Sequence, residues 1–493
     1  MDDGRVSARA MMMILSKAVS HLCFLLIAVV LARSLERSDF GTFNQVWLVN
    51  RSLIYLFALG LPVSVYYFLP RLPETKRKGF ILQTMFNLTV MAVPFSIIMY
   101  SMANTLSSYF HNPDLAQYLR LFAIYPLLTL PTVSTDAILI SLGRTGNAAL
   151  FEVVTKLTMI AAVAAAAFVG NSLDLVFKAL LLYGAVQSVL GIWMVWRPLR
   201  GVGFSFSFRE WQSQIAYAAP YGFSTIAGIL NTQVDKVLIA LFHPPAVFAV
   251  YAAGAFEIPL AGVTAVPVLS VTMPEFSKRF TSGDIVGLLT LWHRSMLKLA
   301  VPVFGVTGFL MVFAQPIVTG LFSMQYAASV WPFRIYLLFL PMRITVLDQV
   351  LASLGRTTFI FKSQVGALMV NIVLGYVFIR TLGFFGPALA ALVSGYLFAT
   401  LVVCAIRKRL NVSWSDLMPW AAVGRVALVS VLAGAASLPL LLVQVGPIWK
   451  LAAGSAVYGV IYLIGNVKTR SITAGDLRVL RGWVGAACRA GSR

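Results

Sequence analysis

Charged side chains are scarce in this chain, and a few of them stand where none would be expected. Lys17, Arg51, Lys156, Lys236, Arg343 and Arg425 lie inside long apolar stretches, as do Asp136, Glu152, Asp235, Glu257 and Asp348. A charge held in hydrocarbon costs roughly 2.5–3.5 kcal/mol on insertion scales unless it is paired or wetted, so each marks a candidate site. The chemistry open to them is limited. Lys and Arg bind anions, and a guanidinium forks onto phosphate oxygens through two hydrogen bonds. A carboxylate in a low-dielectric place carries a proton readily, or holds Na⁺. No Gly-rich phosphate loop, no Cys/His metal spacing and no Ser-His-Asp arrangement accompanies them, and the 3 cysteines and 4 histidines are scattered.

Taken singly, the cations Arg51, Lys236, Arg343 and Lys17 are candidates for binding an anionic substrate group. Asp235, Glu257, Asp136 and Asp348 are candidates for ion coupling or for a gate. Each has a plainer reading. Arg51 shares a helix face with Asn44 but could snorkel or pair with Asp39. Asp235 falls four residues after Asn231, on one helical face, with Glu257 as a partner that would bridge two helices. Asp136 and Asp348 suit a packing pair between halves, with Arg343 beside Asp348. Glu152 and Lys156 have the favoured order for a local i, i+4 salt bridge. Lys17 and His21 share a face near a helix end, where Lys17 would snorkel. Arg425 reads as interfacial.

The elements that must position these residues are membrane helices. Hydrophobic residues make up 59% of the 493 and charged residues only 11%, against about a quarter in soluble chains. A soluble enzyme, a disordered chain and a collagen-like chain are excluded. Spans need ~20 apolar residues. The apolar runs give about fourteen, near 12–32, 43–69, 80–108, 117–142, 148–169, 174–196, 214–242, 246–272, 296–318, 330–354, 358–381, 387–406, 417–442 and 448–465. The first run is long enough to span and lacks a small-residue cleavage site. The net charge of +21 comes mostly from alternate loops, such as Arg71 to Lys78, Arg197 to Arg209, Arg407 to Arg409 and the tail. The positive-inside rule then places both termini in the cytoplasm. No folded basic module suits nucleic acid. The tail segment Asp476 to Arg489 reads as an amphipathic helix on the inner leaflet. No outer loop is long enough to carry the catalytic apparatus of a membrane polymerase or ligase.

An internal repeat organises the spans. Ser141-Leu142-Gly143-Arg144-Thr145 recurs as Ser353-Leu354-Gly355-Arg356-Thr357, and Asp136 and Asp348 stand five residues before each Ser. An even number of helices separates the copies, so the halves run in parallel, as in several transporter folds. The expected division is a six-helix bundle at 1–205, a second at 206–416, two additional helices at 417–465 and a cytoplasmic basic amphipathic tail at 466–493. The expected fold class is an all-α polytopic membrane protein with two parallel bundles around a central cavity.

At these residues the chain resembles the polysaccharide-transport (Wzx-like) flippases of the multidrug/oligosaccharidyl-lipid/polysaccharide (MOP) exporter superfamily. Leu31 to Phe43, with Asp39-Phe40-Gly41, is similar to that family's entry into its second helix. Phe57-Ala58-Leu59-Gly60-Leu61 resembles its glycine-marked second helix. Ala219-Pro220 through Gln233-Val234-Asp235-Lys236 resembles its seventh, and Gly386-Pro387-Ala388-Leu389-Ala390 its twelfth. The resemblance spans roughly residues 10–410. It implies a flippase for an undecaprenyl-pyrophosphate-linked oligosaccharide at the bacterial inner membrane, feeding O-antigen, capsule or exopolysaccharide synthesis. The implied partners are that lipid-linked substrate, membrane lipids, a polysaccharide polymerase and a chain-length regulator. No cofactor is implied beyond coupling to H⁺ or Na⁺, and a monomer is expected. Lipid II flippases of the same superfamily also have fourteen helices, the last two helping to form a groove for the lipid tail. Lipid II is therefore an alternative substrate. The multidrug branch is another alternative, but here the first helix carries Lys17 and His21 in place of a carboxylate.

Overall fold

The structure is a computed structural model, and it describes residues 3–199, 207–256, 258, 272, 275–443 and 446–472. Among them there are helices and no strands. By contact the chain forms two compact units, Met1–Ala255 with Gln364–Ser394, and Phe256–Ser363 with Gly395–Arg493. The amphipathic segment expected after Asp476 lies outside the described residues, as do the expected boundary at 205/206 and Glu257. The division into two six-helix bundles is a proposal that rests on the repeat.

In the first unit the helices run α1 (Asp3–Ser34), α2 (Arg37–Ala58), α3 (Leu61–Phe68), α4 (Glu74–Ser101), α5 (Ala103–Tyr109), α6 (Leu115–Phe122) and α7 (Tyr125–Thr129). They continue with α8 (Thr135–Ser141), α9 (Thr145–Gly170), α10 (Leu173–Trp196), α11 (Phe208–Asn231), α12 (Val234–Phe242) and α13 (Pro245–Gly254). The remaining chain supplies α14 (Ile285–Val312), α15 (Ala314–Phe322), α16 (Val330–Leu337), α17 (Leu340–Arg343) and α18 (Leu347–Ser353). Last come α19 (Thr357–Leu382), α20 (Gly386–Leu410), α21 (Trp414–Leu417), α22 (Trp420–Ser437), α23 (Pro439–Leu442) and α24 (Pro447–Lys468). Large apolar side chains face outward along them; Phe168 is 71% and Val189 70% exposed. Such surfaces belong in lipid, where backbone polar groups must be satisfied within the helix.

By length and composition ten stretches are able to cross a membrane, or up to twelve if each of two bent pairs is one span. The expected fourteen is not established by the described residues. One stretch, Thr357–Leu410, holds two of the expected spans, α19 and α20, joined by a 3-10 turn at Gly383–Phe385. The helix expected over 246–272 is described only as α13 and a few residues after it.

Both bends have local causes. Between α2 and α3 the axis turns 40°, where Leu59 and Gly60 adopt φ of 46° and 71°. Left-handed backbone is cheap for glycine. A Cβ at Gly60 would also lie 2.9 Å from the Gly222 nitrogen, so α11 packs directly on this bend. Below it, Gln214 of α11 is fully buried. It accepts from Gln83 at 3.1 Å and donates to Ser64 at 3.0 Å and Thr84 at 2.8 Å. The second bend, 49°, separates α11 from α12. Here the expected continuous helix 214–242 breaks at Thr232-Gln233, so Asn231 and Asp235 do not share a helical face.

The repeat is visible in the backbone. Gly143 donates to the Ile140 carbonyl (2.9 Å) and Arg144 to Leu139 (2.8 Å); Gly355 donates to Ala352 (3.0 Å) and Arg356 to Leu351 (3.2 Å). Both are Schellman closures, with the C′ glycine left-handed at φ of 74° and 76°. The helices before the turns, α8 and α18, have 7 residues each, and those after, α9 and α19, have 26 each.

In the second unit the last helices are pinned by polar contacts. Ser430 of α22 donates to the Phe304 carbonyl of α14 (2.8 Å) and lies 2.9 Å from the Tyr458 hydroxyl of α24. Tyr462 of α24 donates to the Val301 carbonyl (2.7 Å). Interhelical hydrogen bonds of this kind average about 0.6 kcal/mol each in membranes, so this bundle is held chiefly by packing.

Candidate functional site

The first unit gathers interior charges from four helices, α1, α2, α8 and α9. Lys17 and Ser20 lie on one face of α1, which packs against α9. Lys17 Nζ donates to Glu152 Oε2 at 2.9 Å and lies 3.6 Å from Asp136 Oδ2. Ser20 donates to Glu152 Oε1 at 2.6 Å. Both Glu152 oxygens are therefore engaged by α1. The local Glu152–Lys156 bridge expected from spacing does not form. The charge-assisted contacts from α1 take the carboxylate, while Lys156 turns to the Tyr183 hydroxyl (3.3 Å) and over the Phe24 ring (5.2 Å). A cation over an aromatic face is worth about 0.5–2 kcal/mol, more when desolvated. Nor does Lys17 snorkel away from the interior: it is the hub of the cluster.

The cluster is only partly buried. Side-chain exposure is 14% at Glu152, 28% at Asp136 and 44% at Lys17. Arg51 of α2 is exposed and makes no ion pair among the described residues. The pairing with Asp39 is absent, and Asn44 turns back to the Phe40 carbonyl at 2.6 Å. Lys17, Glu152 and Arg51 are the charges that act on His21. Asp136 and Glu152 both act on the Tyr66 hydroxyl of α3. Ser20, Tyr66 and Tyr183 escaped the sequence reading because neutral polar residues in apolar runs raise no alarm. Ser20 had one signal, its place three residues after Lys17. Three cations, Lys17, Arg51 and Lys156, thus stand against two carboxylates, leaving a surplus of positive charge.

Asp235 and Lys236 play a different part. Asp235 is 1% exposed, opens α12, and accepts from Tyr251 at 2.6 Å. A carboxylate in the first turn is favoured by the helix dipole. Lys236 Nζ lies 3.8 Å from Asp235 and donates to the Thr232 carbonyl at 3.2 Å, where the helix break leaves a carbonyl to satisfy. Asn371 of α19 clamps the same break, donating to the Asn231 backbone and side-chain oxygens at 3.0 and 2.8 Å. These contacts hold the bend.

In the second unit, Asp348 sits in the first turn of α18, and the charge acting on it is Arg343. Asp348 Oδ1 is buried with no hydrogen-bond partner among the described residues. Arg343 is exposed at the end of α17. The described residues include no group of three metal-ligating side chains.

The sequence matches the polysaccharide biosynthesis protein family over residues 7–280, more than half of the chain. The chain belongs to that family. Its members are Wzx-like flippases, transporters in place of enzymes, and the fold agrees. An inward-facing multidrug resistance MATE family transporter of the MOP superfamily aligns with a TM-score of 0.69 at 16% identity, covering 80% of this chain and 94% of that one. The lipid II flippase MurJ in an inward closed conformation aligns at 0.69 with 12% identity, covering 92% and 98%. An MOP superfamily transporter from Pyrococcus furiosus, described by the reverse polarity of its binding pocket, aligns at 0.59 with 16% identity, covering 82% and 95%. At such identities the likeness establishes a shared fold. No curated protein matches the sequence. This member of the polysaccharide biosynthesis family is a multi-pass membrane protein with the MOP transporter fold.

Proposed function

We propose that this protein moves an undecaprenyl-pyrophosphate-linked oligosaccharide from the cytoplasmic to the outer face of the bacterial inner membrane by alternating access. The observation that carries the reading is the positive surplus around Lys17, with Arg51, which makes no ion pair among the described residues, acting on the same His21 as Lys17. A pyrophosphate is the part of such a substrate that cannot cross hydrocarbon unaided. Arg51 meets it first, and Lys17 is shared between the phosphate and the carboxylates of Asp136 and Glu152. Asp136, with the looser contact to Lys17, is then the group that exchanges a coupling proton or Na⁺. A cation-extruding antiporter would want those carboxylates free, and here Lys17 covers them.

The test is complementation of a strain lacking the gene. Lipid-linked repeat units should accumulate on the cytoplasmic side, wild-type protein should clear them, and the Lys17→Ala/Arg51→Ala protein should not. Unchanged pools and unchanged surface polysaccharide in the deletion strain would refute the proposal. Rescue of a strain depleted of its lipid II flippase would instead place the substrate in peptidoglycan synthesis.

A further inference from the structure

A chemically defined cavity lies in the second unit. Its volume is about 930 Å³, and its lining includes Leu289 and His293 of α14, Ser413 and Asp416 of the turn after α20, and Trp420 and Arg425 of α22. Sites for small molecules commonly fall at ~300–1,000 Å³. Its rim is fixed. His293 Nε2 lies 3.1 Å from the Leu417 carbonyl, tying the 413–417 turn to α14. Ser413 donates to Asp416 Oδ2 at 2.6 Å and accepts from the Asp416 amide at 3.2 Å. Trp420 donates to the Trp414 carbonyl at 2.8 Å, and the Arg407 guanidinium stacks 4.9 Å from the Trp414 ring centre.

The surroundings mark headgroup depth. Arg407, Lys408 and Arg409 end α20, and tryptophans collect where hydrocarbon meets water. Arg425 lies deeper, five residues beyond Trp420 or ~8 Å at helical rise, within the apolar span Trp420–Leu442. It is exposed to the cavity and has no ion pair among the described residues. A guanidinium at that depth is costly without a counter-charge. Asp416 sets a second condition, because a purely anionic ligand would meet its carboxylate.

We propose that this cavity binds the headgroup of an aminophospholipid from the adjoining leaflet, with the phosphate on Arg425 and the ammonium on Asp416. A primary ammonium has three N–H donors for the carboxylate, whereas a trimethylated one has none. Leu289 and its apolar neighbours on α14 receive the start of an acyl chain. The site shares no residue with the Lys17 cluster.

Native mass spectrometry of the purified full chain tests this, in detergent with equal amounts of phosphatidylethanolamine, phosphatidylglycerol and phosphatidylcholine. Wild type should retain ethanolamine over choline lipid by about tenfold, the worth of one hydrogen bond to a charged group. Arg425→Gln should lose retention of all three. Asp416→Asn, which keeps the oxygen that accepts from Ser413, should lose the ethanolamine preference and gain glycerol lipid. Gly143→Ala, outside the cavity, should leave the pattern unchanged. Equal retention of the three lipids by wild type would overturn the proposal. So would retention by Arg425→Gln at the wild-type level, which would mean that Arg425 only snorkels to water. If Arg425→Gln does not fold, Asp416→Asn decides alone: an unaltered ethanolamine-to-choline ratio overturns the site.

Discussion

At Ser141–Thr145 and again at Ser353–Thr357 the chain makes the same turn, yet the charges around the two turns differ. Each has a seven-residue helix before it, a Schellman closure at a left-handed glycine, and a 26-residue helix after it. Each preceding helix carries Asp as its second residue, Asp136 or Asp348. Beyond the turn the halves part. The position of Glu152 is occupied in the second copy by Gln364, and that of Lys156 by Leu368. Asp136 has Lys17 at 3.6 Å, whereas Asp348 Oδ1 is buried without a hydrogen-bond partner among the described residues. The architecture is symmetric and the electrostatics are not. Fold can be duplicated by repeating turn and helix signals, while among the described residues the Lys17–Asp136–Glu152 cluster stands beside the first copy.

If that asymmetry is functional, its largest break comes at Lys17. Lys17→Met leaves Glu152, 14% exposed, without its cation. Breaking one side of a buried pair costs about 3–5 kcal/mol, and the 44% exposure of Lys17 puts this case near the low end. Recovery of folded protein after extraction should fall. The Lys17→Met/Glu152→Gln double variant should restore recovery but not transport, measured by complementation. Restored transport would make the cluster structural.

Gln364→Glu tests the converse. It puts a carboxylate in the second copy at the place of Glu152. A lone carboxylate in a span costs about 2.5–3.5 kcal/mol, so folded yield should drop where Glu152 itself is tolerated. A neutral outcome would show that the second copy can also house the charge.

What was legible in the sequence follows the same division. The repeat could be read because a Schellman turn is a local signal, a glycine after a helix end, copied with its neighbours. The membrane class could be read because apolar runs are local too. The partner of Glu152 could not. Spacing favoured Lys156, four residues away, and the structure chose Lys17 and Ser20 on α1, more than a hundred residues distant, because α1 packs on α9. The break at Thr232-Gln233 was equally hidden, since neither residue is a glycine or a proline. Its support is partly tertiary: Asn371, from α19, satisfies the Asn231 oxygens at the break, and Lys236 satisfies the Thr232 carbonyl locally.

A smaller contrast separates the two aspartates. Asp136→Asn removes a charge that faces Lys17 and should lower transport by about tenfold, the effect of some 1.4 kcal/mol. Asp348→Asn removes a charge with one unpartnered buried oxygen. It should raise the melting temperature slightly and leave transport near wild type. Equal loss of transport in both variants would mean that the two copies act together as a gate.

The smallest effect probes the symmetric part. Gly143 and Gly355 hold φ of 74° and 76°, and a Cβ at either would meet nothing within 4 Å. Space therefore plays no role, and only the left-handed backbone penalises alanine, by roughly 1 kcal/mol. Gly143→Ala and Gly355→Ala should lower the melting temperature by equal amounts, and neither should change the lipid or substrate preference. Asparagine, which tolerates the left-handed region better, should cost less than alanine at both turns. A marked difference between the two positions would mean that the turns carry unequal loads, and that the asymmetry of the molecule extends from its charges into its backbone.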